Sequence, residues 1–152
     1  MEHVELHDTL GLLLRDKGSE IWHVSSGAKV YDAIALMAEK KIGALLVMDE
    51  GKLVGILSER DYARKVTLRG KTSKETLVRE IMSSPVIHVS PKHTVGDCMS
   101  LMTDHRIRHI PVVEEGKVVG VLSIGDIVKW IITAQQETIT QLHGYITGRY
   151  PG

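Results

Sequence analysis

The chain has 152 residues, 43% of them hydrophobic, which places it among globular proteins of one domain or of two very small halves. Lys plus Arg and Asp plus Glu each number 19, so no bulk field draws the chain to nucleic acid or to an anionic membrane surface. The single Cys98 excludes an internal disulfide and a multi-thiolate metal site. No apolar run reaches the roughly 20 residues of a membrane span, and "MEHVELHDTLGLLLRDKG" carries acids where a secretory signal carries bases, so a cytoplasmic location is expected.

In chain order, Leu6, Leu10, Leu13 and Leu14 predict one face of an N-terminal helical segment over 1–20, ended by Gly18. From Ile21 the chain repeats itself. Setting Ile21–Val66 over Val86–Ile131, a constant shift of 65 positions, leaves roughly 17 of about 46 positions identical, the mark of a duplicated unit. Each copy opens with a short apolar stretch, "IWHV" or "VIHV", read as a strand. Next comes an amphipathic helix with Val30, Ile34 and Met37, or Val95, Met99 and Met102, at helical spacing. The stretches "GALLVMD" and "RHIPVVE", a turn on "EGK", and "LVGIL" and "VVGVL" read as two strands around a hairpin. After the aspartate of "GILSERD" or "GVLSIGD" a second helix is expected, over "YARKVTL" in one copy and "IVKWIITA" in the other.

Each copy therefore reads β-α-β-β-α. Residues 21–70 form the first repeat, 71–85 a linker and the start of the second, and 86–133 the second repeat. Units of about 45 residues bury too little surface alone, so the two are expected to share a core. Val128, Ile131, Ile132, Ile139 and Leu142 carry an apolar stripe into a helical tail over 134–152. The two terminal stripes cover either the chain's own core or a second subunit, and they motivate an expected homodimer.

The repeated Gly-x-Leu-Ser-x-x-Asp motif admits two readings. In one, Gly55 and Gly120 permit a close approach of ligand or backbone, the following helix offers free N–H groups to phosphate, and Asp61 and Asp126 accept from ribose hydroxyls. In the other, Ser58 and Ser123 are N-caps and each Asp returns the bond, a capping box copied by duplication.

The in-phase duplication, with "SERDYARKV", "LVREIM" and "LMTDHRIRHIPVVEEGKVVGVLSIGDIVK", resembles the cystathionine-β-synthase (CBS) domain pair, or Bateman module, and the small stand-alone proteins built from it. The resemblance covers Ile21 to about Ile132. It implies an α/β fold of tandem CBS repeats with pseudo-two-fold symmetry plus N- and C-terminal helical extensions. It also implies a regulatory module that binds AMP, ADP or ATP, or else NAD or S-adenosylmethionine, in clefts between the repeats and signals to a partner protein. Carried over by position, Trp22 and His23 would grip adenine with Asp126, and Met82, Ile87 and His88 with Asp61. Phosphates would meet Arg108, His109 and Ser123 in one cleft and Ser58 and Arg60 in the other, with Arg64 and Lys71 extending the latter. Because Gly43 and Ala44 stand where the second copy has Arg108 and His109, and Gly125 stands where the first has Arg60, the two clefts are expected to differ in ligand.

Blander roles stand beside these. Arg60 and Arg64 suit a solvated helix face, His23 and His88 suit hydrogen-bonded structural positions, and Cys98, Met37 and Met102 suit core. His105 and His109 have metal-like spacing without a third ligand, so no metal is expected. An enzyme is disfavoured for want of a P-loop, an activated nucleophile or a metal cluster. A nucleic-acid binder, with Arg60, Arg64, Arg69 and Lys71 as one strip, and a purely structural interaction module without ligand are the alternatives.

Overall fold

The computed structural model describes residues 4–18 and 20–146, with the backbone alone for 4, 5 and 138–146. The element order is a 3-10 turn (Val4–His7), α1 (Leu10–Lys17), β1 (His23–Val24), α2 (Val30–Lys40), β2 (Ala44–Asp49), β3 (Lys52–Ser58), α3 (Glu59–Tyr62), a π-helical turn (Ala63–Thr67), α4 (Val78–Ile81), α5 (Val95–His105), β4 (His109–Glu114), β5 (Lys117–Ser123) and α6 (Ile124–Ile146). Two compact units result. One gathers 20–88 with 115–119; the other gathers the described residues of 1–19, 89–114 and 120–152.

In the first unit the sheet order is β1-β2-β3, with β1 parallel and β3 antiparallel to β2. Helix α2 buries Val30, Ala33 and Met37 with Leu45, Val47 and Leu57 of the sheet and with Val66, Val78 and Ile81. The hairpin turns on Glu50 and Gly51, both at positive φ (51° and 77°), whose twist matches that of the strands it joins. The expected strand "IWHV" shortens to His23–Val24, and past its end the Ser26 amide and hydroxyl donate to the Asp49 carboxylate.

In the second unit the same elements recur at the shift of 65: α5 repeats α2, β4 repeats β2 and β5 repeats β3, residue for residue at both ends. The left-handed cap also recurs, Lys41 and Arg106 both standing at φ 55°. Strands β4 and β5 pair, and "VIHV" contributes only a bridge from Val89 to Val112. Beyond Val89 the chain turns away, the Ser90 amide donating to His93 Nδ1 at 2.8 Å. Val95, Cys98, Met102, Ile110, Val112, Leu122 and Ile127 are buried, and burial pushes the Cys98 thiol up to about 11, as expected of a core cysteine.

The second helix departs from expectation in both repeats. It starts before the motif aspartate, at Glu59 and at Ile124, so that Asp61 and Asp126 lie within its first turn. In the first repeat it lasts four residues and widens into the π turn, where the Leu68 amide reaches Ala63 O at 3.0 Å and Val66 is buried. In the second it runs on unbroken as α6, so the expected tail is a continuation of that helix; the side chains of Ile139 and Leu142 lie outside the described residues.

The expected N-terminal helical extension is present as α1 and packs within the second unit. Thr9 bridges Thr94, and the amides of Leu10 and Gly11 donate to the carbonyls of His93 and Pro91. In the other unit Leu77 bridges Lys29, and the amides of Val78 and Arg79 donate to the carbonyls of Ala28 and Ser26. Residues 93, 91 and 94 are 28, 26 and 29 shifted by 65, so α1 is the counterpart of α4 at a constant offset of 68 positions, Leu10 to Val78 and Leu14 to Met82. Leu10 and Leu13 are buried as Val78 and Ile81 are, which places α1 on the second repeat's own core, while Leu6 precedes the helix.

Candidate functional site

Both copies of the motif build the same corner: a β-strand ends at Ser, the chain turns, and a helix begins. The Ser58 amide and hydroxyl donate to Asp61 Oδ2 at 2.9 and 3.0 Å, and the Asp61 amide donates to Ser58 Oγ at 3.2 Å. The Ser123 amide donates to Asp126 Oδ2 at 2.8 Å, and the Asp126 amide to Ser123 Oγ at 3.1 Å. The amide opening each helix is committed too, Glu59 to Gly43 O at 3.0 Å and Ile124 to Arg108 O at 2.8 Å. The capping box is therefore present in both repeats, and the first and third helical amides, expected to await a phosphate, are already satisfied.

Each motif glycine lies under a crossing segment of the protein itself. A Cβ on Gly55 would stand 2.5 Å from Met82 Sδ and 3.2 Å from Ser83 O. A Cβ on Gly120 would stand 2.5 Å from Leu14 Cδ2. Met82, just past α4, and Leu14 of α1 thus lie over glycine at equivalent strand positions, where a Cβ would displace the side chain above it.

Each motif carboxylate also carries an ammonium. Lys65, one turn beyond Asp61, lies 3.2 Å from its Oδ1 and donates to Ile81 O at 2.9 Å; Ser83 Oγ stands 3.5 Å from the same oxygen. Lys17, at the end of α1, lies 2.6 Å from Asp126 Oδ2 and donates to Val121 O. Burial pushes the Asp126 carboxyl up, and the Lys17 ammonium with the Ser123 amide and hydroxyl more than reverses this, holding it below the usual carboxylate range. Among the described residues the hydrogen bonds and ion pair of this carboxylate fall on Oδ2.

The first unit brings Gly55, Ser58, Asp61, Lys65, Met82 and Ser83 together. Met82 packs on the core cluster over Gly55, Ile87 is half-buried, and His88 is exposed. Arg60 and Arg64 are exposed, and the break from α3 to the π turn separates them, so they share no continuous α-helical face. Trp22 is half-buried against the core with the Lys40 ammonium 4.2 Å from its ring centroid, and His23 is exposed on β1. In the second unit Arg108 is exposed before β4 and His109 half-buried at its start. Among the described residues no three His, Cys, Asp or Glu side chains gather as a metal site, and no helix is long and apolar enough to cross a membrane.

The sequence pattern does not point to Lys17, Lys65 or Ser83, and it gives Leu14 only a helix face, not its place over Gly120. The one signal for Lys65 is its i+4 spacing from Asp61. Lys17 has none, since 109 residues separate it from Asp126.

A duplicated corner of this kind invites comparison with known proteins, and a sequence profile of the CBS domain matches residues 18–67 and 78–133. The chain belongs to the CBS-domain family. A CBS-domain protein of solved structure from Burkholderia ambifaria MC40-6 is 51% identical, with a TM-score of 0.80 over 82% of this chain and 94% of that one. The mitochondrial CBS domain-containing protein CBSX3 of Arabidopsis thaliana is 41% identical over 138 residues, 88% of this chain; the chain spans 66% of the plant protein's length. The CBS domain pair of MJ0100, solved in complex with 5'-methylthioadenosine and S-adenosyl-L-methionine, is 26% identical with a TM-score of 0.71 over 81% of this chain and 94% of that one. The profile begins at residue 18, so this CBS pair carries α1 outside the stretch that defines the family.

Proposed function

We propose that this CBS pair is a regulatory module that binds an adenine nucleotide (AMP, ADP, ATP or NAD, or the related S-adenosylmethionine), acts as a homodimer, and passes the bound state to a partner protein. The observation that carries the reading is the equivalent placement of Asp61 and Asp126 at two strand-to-helix corners, each carboxylate partly buried and oriented by its own serine. At Asp126 the internal bonds gather on Oδ2, so one hydroxyl of a vicinal diol meets Oδ1 and the other competes with the bonds already made at Oδ2. The complex of MJ0100 with two adenosine-bearing ligands supports the ligand class. Arg60 and Arg64, or Arg108 and His109, are the proposed phosphate contacts, and Trp22, His23, Met82, Ile87 and His88 the proposed adenine contacts.

Isothermal titration with AMP, ADP, ATP, NAD and S-adenosylmethionine tests this. Asp126→Asn keeps an acceptor for the Ser123 amide while removing the charge, and Asp61→Asn does the same in the first repeat. The expected result is selective binding that weakens by about 1.5–3 kcal/mol in one of the two variants, the scale of a lost charge-assisted hydrogen bond. No heat with any ligand would leave the capping box as the motif's whole purpose and favour a structural interaction module.

A further inference from the structure

We infer that Lys17 is a tethered competitor for the second motif carboxylate: the N-terminal helix holds Asp126 closed, and a ligand hydroxyl pair takes Asp126 only as α1 lets go. The inference rests on the nucleotide-binding reading above and adds to it the segment through which occupancy leaves the site.

The fold itself does not require the contact. The counterpart helix α4 ends at Ile81, immediately before Met82, which covers Gly55. Helix α1 covers Gly120 with Leu14 in the same way and then continues for another turn to Lys17, whose ammonium reaches Asp126 Oδ2 and Val121 O. That added turn is what separates the two repeats here. At Asp61 the ammonium comes instead from Lys65 of the following π turn, which also donates to Ile81 O at the end of α4, so there the counterpart helix meets the ammonium through a backbone carbonyl and does not supply it.

The energetics suit a release. The Lys17 and Asp126 side chains are 36% and 24% exposed, so the pair is a partly solvated salt bridge whose net worth is small and which a ligand can displace. The start of the segment is held separately, by the Trp130 Nε1 donation to Asp8 at 2.8 Å, the Thr9 to Thr94 bridge, and buried Leu10 and Leu13. The C-terminal turn of α1 can therefore open while the helix stays attached, and Gly18 at φ 94° marks its end.

The test combines titration of AMP, ATP and NAD into wild type, Lys17→Met and Leu14→Ala with amide hydrogen exchange over residues 10–17. Leu14→Ala loosens the same turn without touching either charge. Expected is binding roughly twofold to fivefold tighter in Lys17→Met, the factor a surface ion pair accounts for, a change of the same sign in Leu14→Ala, and faster exchange in the last turn of wild-type α1 once nucleotide is bound. Binding that depends on Asp126 but is unchanged or weaker in Lys17→Met, or α1 exchange that nucleotide leaves unchanged or slows, overturns the inference and leaves the nucleotide reading standing. Should Lys17→Met not fold, the wild-type exchange measurement decides alone. No nucleotide binding in any of the three proteins overturns both.

Discussion

Asp126 concentrates the residue-scale physics of the second repeat. Its carboxylate is oriented by Ser123, paired with Lys17 and partly withdrawn from water, with a net effect below its ordinary value of 3.8. A carboxylate whose folded pKa is depressed binds fewer protons in the native state than in the unfolded chain, so stability rises with pH across that interval. The contribution is fully present above the unfolded value and is lost as pH falls through the folded one. In Asp126→Asn this part of the acid limb is expected to vanish: the melting temperatures of variant and wild type should differ near neutrality and converge below about pH 3.8. A constant difference across the titration would show that the loss came from packing and not from charge. The serine and aspartate of this corner were legible in sequence, because a capping box is a local pattern of spacing three. The ammonium completing it was not, because only tertiary structure brings α1 to β5.

At the scale of elements, the duplication was readable wherever the copies kept their residues, and α2, β2 and β3 return as α5, β4 and β5 with identical bounds. It was unreadable for α1 and α4. Thr9 to Leu14 share no identical residue with Leu77 to Met82, and their offset is 68, not 65, so no fixed-period comparison aligns them. What persists is the bridge, two amide-to-carbonyl bonds, two buried aliphatic positions and one residue over a glycine. Backbone geometry was retained while side-chain identity drifted, staying apolar at the packed pairs Leu10 and Val78, Leu13 and Ile81, and Leu14 and Met82, a change that volume-tolerant packing permits. Equivalence has an energetic consequence. Leu13→Ala and Ile81→Ala each remove a large side chain from an equivalent buried position, 3% and 1% exposed, and each is expected to cost about 2–5 kcal/mol in chemical denaturation. If Leu13→Ala cost no more than a surface substitution, about 0.5 kcal/mol or less, α1 would be an appendage after all.

At the scale of the whole molecule the two repeats differ most on the C-terminal side of the motif. The first ends in the π turn and the exposed basic residues Arg64, Arg69 and Lys71; the second extends as α6 with Ile124, Val128 and Ile132 at 38%, 47% and 48% exposure. A spacing of four places these three on one helix face, and a contiguous exposed apolar strip of this kind marks an interaction surface more often than a solvated one. The chain's zero net charge sets no long-range repulsion against a second copy. Light scattering at micromolar concentration is therefore expected to give about twice 16.8 kDa, and Val128→Asp with Ile132→Asp, which places two charges on the strip, is expected to give the single-chain mass with the melting temperature little changed. A wild-type mass of one chain would refute the homodimer. A dimer unaffected by both aspartates would move the interface off this face of α6.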